Sequence, residues 1–365
     1  HHPITHTAII GIFVNLGLKL SGNINTGIAL YSIFSMLTMA TFAAFVLKYL
    51  RKKKVPAFVQ LITLLFYMFY PVNGMYSITM WKDILFSGIM PLFIIQNIEL
   101  MVGSVLISIF TMILRHNGLY VVVLSLPFIF IVLRKHWKKL LIMFMSILVI
   151  YEAYNVVVFK ILKVEKGAVG EMLSVPIQQI ARTVKDNYED IDEETIEKLN
   201  KYFTVENVWE DYNPILSDPV KFNFNNEYFS ENKSEFISIW LKLFVKYPKD
   251  YIEAFTSNSY GYYYPEVRNS VVSRVTMDHN MGIKQTPLID GKWVEQIDGL
   301  IDARGIPVFG FVFSIGAGVL LTVIALSYTI YKKKYKYLLV YLPTFILWLT
   351  LIASPAYCEY RYAYP

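Results

Sequence analysis

Four short polar stretches in an otherwise apolar chain carry the residue types that chemistry needs: Trp81-Lys82-Asp83, Arg115-His116-Asn117-Gly118, Glu359-Tyr360-Arg361-Tyr362 and the leading His1-His2-Pro3. Lys82, Arg115 and Arg361 supply positive charge. Two or three such groups at the edge of a low-dielectric slab can hold a phosphodiester and stabilise it as a leaving group, because charge-assisted hydrogen bonds strengthen where water is partly excluded. A carboxylate within reach takes the proton of an acceptor hydroxyl as general base, which nominates Asp83 and Glu359, with His2 as a further base. Trp81, His116 and Asn117 complete the expected lining. The other reading is interfacial anchoring, with Lys82 paired to Asp83 and Arg361 to Glu359. Anchoring alone does not favour His, Asn and Glu at these positions. No metal site is expected: His2 and His6 across Pro3 form a weak ligand spacing, and a divalent metal stays open only as an additive to the cations. The chain has no Gly-rich phosphate loop, Ser-His-Asp order or Cys-x-x-Cys pair, and its one cysteine, Cys358, rules out an internal disulfide.

The elements that must position these residues are membrane spans. Hydrophobic residues make up 55% of the chain and mean hydropathy is +0.43, a balance that soluble domains do not have. Residues 4–20 are apolar but carry Thr5, His6, Thr7, Asn15 and Lys19, which suits a helix lying in the interface. Eight apolar segments follow: 24–47, 55–72, 84–97, 100–114, 119–133, 140–162, 306–331 and 338–353. The two in the middle, 84–97 and 100–114, are short for the ~20 residues of an untilted crossing. Alternating these segments through a bilayer puts the three Lys/Arg-rich loops, at 48–54, 134–139 and 332–336, on one face. By the positive-inside bias that face is cytoplasmic. The polar stretches at 81–83, 115–118 and 359–362 then share the opposite, outer face, and charges gathered at span ends on one side mark a substrate path or site.

The chain therefore divides into an N-terminal membrane part, residues 1–162, with an interfacial helix and about six transmembrane helices. A soluble insert follows at 163–305, then a C-terminal membrane part at 306–365 with two transmembrane helices and the start of an outer loop. Both ends read as cut. The insert holds 24 of the 28 acidic residues against 16 of the 34 basic ones, a net of −8, which leaves +14 on the rest. Positive charge spread over short inter-span loops argues against nucleic acid as a partner. Within the insert, Asp192 ahead of Glu193 and Glu194 reads as a capped helix start. Phe236, Ile239, Trp240, Leu243 and Phe244, then Tyr251, Ile252 and Phe255, recur at helical spacing as packing faces. The insert is expected to be helical, with long loops.

Taken together, His1-His2-Pro3, Trp81-Lys82-Asp83, Leu114-Arg115-His116-Asn117-Gly118, the segment Leu173-Ser174-Val175-Pro176-Ile177-Gln178-Gln179-Ile180-Ala181-Arg182, Gly261-Tyr262-Tyr263-Tyr264-Pro265 and Glu359-Tyr360-Arg361-Tyr362-Ala363-Tyr364-Pro365 resemble a group of bacterial multi-spanning proteins similar to GT-C type glycosyltransferases. The likeness covers nearly the whole chain on short motifs. It implies an all-α polytopic membrane protein with a GT-C-like bundle and one mainly helical extracytoplasmic domain, in the bacterial cell membrane. It also implies transfer of a sugar from a polyprenyl-phosphate carrier to a glycan, lipid or protein acceptor, with no cofactor. Such enzymes place an acidic residue in the first outer loop. This chain has none before Ile4, so the resemblance puts the main acid upstream of His1. It further implies that Gln178, Gln179 and Arg182 face the membrane-side groove and touch acceptor or sugar, against the plain alternative of a helix surface. Two rival functions stay open: a transporter or flippase of lipid-linked glycan, and a non-catalytic assembly protein.

Overall fold

The computed structural model describes residues 3–99, 103–165, 167, 169–271, 291–293, 296 and 310–364. His1 and His2 lie outside the described residues. Every regular element among the described residues is helical, and the only β pairing is a set of isolated bridges, Asn213 with Leu216 and Leu216 with Tyr357.

α1 (Ile4–Ser21) and α2 (Ile24–Lys52) form an antiparallel hairpin. Gly22 turns the chain at φ 68°, and the Asn23 side chain caps α2 by accepting from the Asn25 N–H. The two backbones touch at Gly17 and Gly27, where a Cβ on Gly17 would stand 2.1 Å from the Gly27 nitrogen. Small residues at such a contact let helices approach inside a membrane. α1, expected as an interfacial helix, is an 18-residue apolar helix packed along α2, long and apolar enough to cross a membrane by length and composition. Its polar residues are no obstacle because they are satisfied internally. Thr5 Oγ1 meets Tyr154 OH at 3.0 Å, His6 Nε2 meets Tyr31 OH at 3.0 Å, and Asn15 donates to the Gly11 carbonyl.

α3 (Ala57–Phe69) breaks by 51° into α4 (Pro71–Ser77). Pro71 causes the break, since the residue before a proline is driven out of helical geometry, and Tyr70 sits at φ −70°, ψ 115°. α5 (Lys82–Ile98), α6 (Ser104–Leu114), α7 (His116–Val132) and α8 (Trp137–Asn155, continued by a π-helical stretch Val156–Ile161) follow. At one end of the bundle Glu99 pairs with Lys52 and Lys53 and lies in electrostatic reach of Lys336, so basic loops distant in sequence meet on one face. Beyond the insert, α16 (Ile315–Tyr331) and α17 (Leu338–Ala353) complete the bundle, and a short α18 (Tyr360–Ala363) closes the chain. Among the described residues four helices are long and apolar enough to cross a membrane: Ile4–Ser21, Ile24–Lys52, Arg134–Ile161 and Tyr335–Ala353. The broken pair α3 and α4 makes a fifth if counted as one span. The chain is a membrane protein, and its bundle core is built from Phe86, Met90 and Phe93 of α5, Val121 and Val122 of α7, and Leu140 and Ile147 of α8.

The insert has its own core. α9 (Ser174–Asn187), α10 (Glu193–Leu199), α11 (Val205–Asp211), α12 (Asp218–Phe222), α13 (Asn226–Glu231), α14 (Lys233–Lys246) and α15 (Pro248–Ser259) surround Ile177, Ile180, Tyr202, Phe236, Leu243 and Tyr251. Of the expected packing residues Phe236, Ile239, Leu243 and Tyr251 are buried, whereas Phe244 and Ile252 face outward. Asp192 caps α10 as its position implied, accepting from the Thr195 N–H at 3.0 Å and pairing with Lys242 at 2.8 Å. Lys242, then Thr195, hold the Asp192 carboxyl well below the usual carboxylate range. A depressed carboxyl stabilises the fold above its ordinary titration range and loses that contribution as pH falls through the depressed value. Asp192→Ala is therefore expected to weaken α10 by about 1 kcal/mol at neutral pH. Hydrogen exchange of the α10 amides reads this, and the gap to the unmodified protein should close in acid.

Candidate functional site

The site forms where short helices end. At 1.5 Å per residue, the 11 residues of α6 span only about 17 Å, little more than half of a ~30 Å hydrocarbon core. The C-terminus of α6 and the N-termini of α5 and α7 meet at the end of the bundle opposite Glu99 and its lysines. α2 rises past this level: Ser32 donates to the Ile78 carbonyl beside α5, and α2 begins two turns earlier. The polar ends thus sit in a recess walled by α1 and α2.

The turn between α6 and α7 aims Arg115. Arg115 is extended at φ −151°, ψ 138°, and Gly118 lets α7 start against α6, since a Cβ there would stand 1.8 Å from the Thr111 carbonyl oxygen. Arg115 Nε lies 3.1 Å from Asp83 Oδ1, and both side chains are 4% exposed. Its Nη1 donates to the Tyr362 carbonyl at 2.8 Å and its guanidinium lies over the Phe86 ring. One buried arginine therefore ties α5 and the α6–α7 turn to the end of the chain.

Arg361 lies beside this pair. Its Nε is 2.9 Å from Glu359 Oε2, its Nη2 donates to Tyr362 OH, and its guanidinium stacks over the Trp81 ring at 4.8 Å. Trp81 packs edge-on against Tyr76, and Tyr76 against Tyr364, whose OH donates to Asn73 Oδ1 at 2.6 Å. Lys82 is half-buried and in electrostatic reach of Asp83, Arg115 and Arg361. Glu359 is 6% exposed, and its Oε1 has no hydrogen-bond partner. Burial pushes the Glu359 carboxyl up, against the pull of Arg361.

Six of the residues singled out in the sequence thus meet: Trp81, Lys82, Asp83, Arg115, Glu359 and Arg361. Asp83 pairs with Arg115 across 32 positions. Glu359 is held by Arg361 through Oε2, which leaves Oε1 without a hydrogen-bond partner. Asn117 turns to α17, where its Nδ2 donates to Thr350 Oγ1 at 2.7 Å, and His116 is exposed at the start of α7. Gln178, Gln179 and Arg182 lie on α9 of the insert. Gln178 Nε2 donates to the Asn213 carbonyl, and Gln179 bridges the Tyr251 carbonyl and the Trp240 indole. Arg182 pairs with Asp186 and Glu253. They hold α9 to its neighbours, where a membrane-side groove was expected for them. Among the described residues no group of three His, Cys, Asp or Glu side chains is placed to hold a metal ion.

A family of unknown function (DUF6020) matches residues 1–365. The chain belongs to that family. No curated protein and no solved structure matches it.

What this family member offers a ligand is a charged end and an oily end side by side. Between α16 and α17 runs a cavity of about 240 Å³, lined by Ile315, Val319, Phe345 and Trp348 and closed at one end by Tyr360 and Tyr364. Tyr360 and Tyr364 belong to the same short terminal segment as Arg361, which links the cavity lining to the cation cluster. The tyrosines themselves carry the least legible part of the site. The run Tyr360-Arg361-Tyr362-Ala363-Tyr364 is visible in the sequence, but nothing there tells that Tyr362 receives Arg115 through its carbonyl.

Proposed function

We propose that this protein is a membrane glycosyltransferase of the GT-C type that takes a sugar from a polyprenyl-phosphate carrier and gives it to a glycan, lipid or protein acceptor. The observation that carries the reading is the juxtaposition of Arg361, Lys82 and the unpartnered Glu359 oxygen with an apolar groove at the membrane-embedded side. Arg361 and Lys82 bind the phosphate oxygens, and the α16–α17 groove takes the first units of the prenyl chain. Arg115, saturated by Asp83 and the Tyr362 carbonyl, holds the segment that carries Arg361. Glu359 Oε1 accepts the acceptor hydroxyl proton as that oxygen bonds to the anomeric carbon. The bond from that carbon to the phosphate oxygen breaks, and the polyprenyl phosphate leaves with its electron pair, through an oxocarbenium-like state. Placing the site opposite the basic loops makes it extracytoplasmic in a bacterial cell membrane, with residues 163–305 on the same side.

The test is turnover by purified protein with short-chain polyprenyl-phosphate sugars, read as release of polyprenyl phosphate. Arg361→Ala is expected to lower the rate by roughly 10²–10³-fold, as for loss of one preorganised donor to a developing oxyanion; because it also leaves Glu359 without its counter-charge, turnover is compared below the unfolding temperature of the variant. Undiminished turnover in that variant overturns the reading. The 51° break between α3 and α4 favours a second reading, a translocator of lipid-linked glycan using the same cations. Product formation in detergent, where there are no two leaflets, separates the two.

A further inference from the structure

Three buried side chains where the insert meets the membrane helices have hydrogen-bonding capacity that no protein group uses. Asn258 of α15 is 2% exposed, and neither its Nδ2 nor its Oδ1 has a partner. Gln178 of α9 is 1% exposed; its Nε2 is engaged, but its Oε1 is not. Glu359 Oε1 is the third such group. Native proteins rarely leave buried amides and carboxylates in this state, so three together call for an explanation.

Gln178 and Asn258 are close because of helix register. α9 and α15 run antiparallel, with Asn187 donating to Asp250 at 2.5 Å and Arg182 paired to Glu253. Continuing that register brings Gln178 opposite Asn258. Both also meet the segment that leads into Glu359. Cys358 Sγ donates to the Asn258 carbonyl at 3.2 Å. Asn213, which receives Gln178, bridges to Leu216, and Leu216 bridges to Tyr357. Gln178 and Asn258 therefore both lie by residues 357–358, which lead directly into Glu359.

Their chemistry selects a ligand. The unused set is three acceptor oxygens and one amide NH2. A phosphate would meet three oxygens of its own kind, whereas hydroxyl groups donate to each oxygen and accept from the amide. We propose that Gln178 and Asn258, with Glu359 at their edge, form a subsite for the hydroxyl groups of the sugar carried on the lipid phosphate. This rests on the glycosyltransferase reading and deepens it. Phosphate sits at Arg361 and Lys82, and the sugar ring extends from Glu359 toward α9 and α15. Residues 354–359 run past α15 as irregular backbone between α17 and α18, held by Ser217, Tyr262 and Asn269. Gln179 takes no part, because both ends of its amide are engaged.

The experiment compares binding of bare polyprenyl monophosphate with that of the same lipid carrying glucose, mannose or arabinose, on the full chain in nanodiscs. For the parent protein, at least one sugar-bearing lipid should bind tenfold or more tighter than the bare lipid. Asn258→Leu and, separately, Gln178→Met should reduce that margin to under threefold and leave bare-lipid affinity unchanged, which also reports that each variant is folded. A margin that survives both substitutions, or no margin with any of the three sugars, overturns the subsite. Failure of the parent protein to bind the bare lipid instead overturns the phosphate reading beneath it.

Discussion

Replacing Arg115 with methionine should destabilise the protein by about 3–5 kcal/mol, the cost of leaving a buried charge without its partner. Asp83 is 3% exposed, and its nearest counter-charge is Arg115 Nε at 3.1 Å. With the guanidinium gone, the carboxylate must either stay charged in a low-dielectric site or take up a proton. The Tyr362 carbonyl loses its donor as well. The double variant Asp83→Leu with Arg115→Met should recover most of the loss, because two well-packed apolar side chains do about as well as a buried pair once desolvation is counted. A thermal-unfolding cycle over the parent, both singles and the double measures this coupling. A single Arg115→Met that melts with the parent would show the pair to be incidental. Turnover should not return with stability, since the lost arginine also anchors the segment that presents Arg361.

The second large effect is expected at Gly118. A methyl group there meets the Thr111 carbonyl oxygen at 1.8 Å and the Phe86 ring at 3.0 Å. The Thr111 oxygen is helical backbone and cannot rotate away, so α7 must move off α6. Gly118→Ala should cost at least the upper end of the ~1–3 kcal/mol typical of overpacking, and it shifts the turn that aims Arg115. Gly11 supplies the control. It lies inside α1 with nothing within 4 Å of an added Cβ, so Gly11→Ala should gain up to about 1 kcal/mol from helix propensity alone. Unfolding temperatures of the two variants should move in opposite directions; equal shifts would contradict the packing described for α6 and α7.

The two predictions mark different kinds of legibility. That Arg115 matters was readable, because a lone arginine at an apolar span end, away from the basic loops, demands a reason. That its partner is Asp83, 32 positions away, was not readable. Adjacent residues at a helix start point in different directions, and only the packing of α5 against the α6–α7 turn selects which charge each one meets. The polar residues of α1 are a similar case. Thr5, His6 and Asn15 lower its hydropathy when counted alone, but Tyr154, Tyr31 and the Gly11 carbonyl satisfy them in the folded bundle. Gln178 shows the reverse case: its amide looked like a surface group at the start of an amphipathic helix, and burial against α15 turned it into an unsatisfied interior one.

The amino-acid order alone determined that this is a helical membrane chain with one acidic insert, and that its basic residues gather in short loops between apolar segments. Hydrophobic length and charge asymmetry act locally, so they can be read without coordinates. Only the tertiary structure decided that Arg115 and Arg361, 246 positions apart in the numbering, share one recess with Glu359 beside an apolar groove. Helix ends converge through packing, at Gly118 against Thr111 and Asn117 against Thr350, and such long-range contacts leave no periodic trace in the chain.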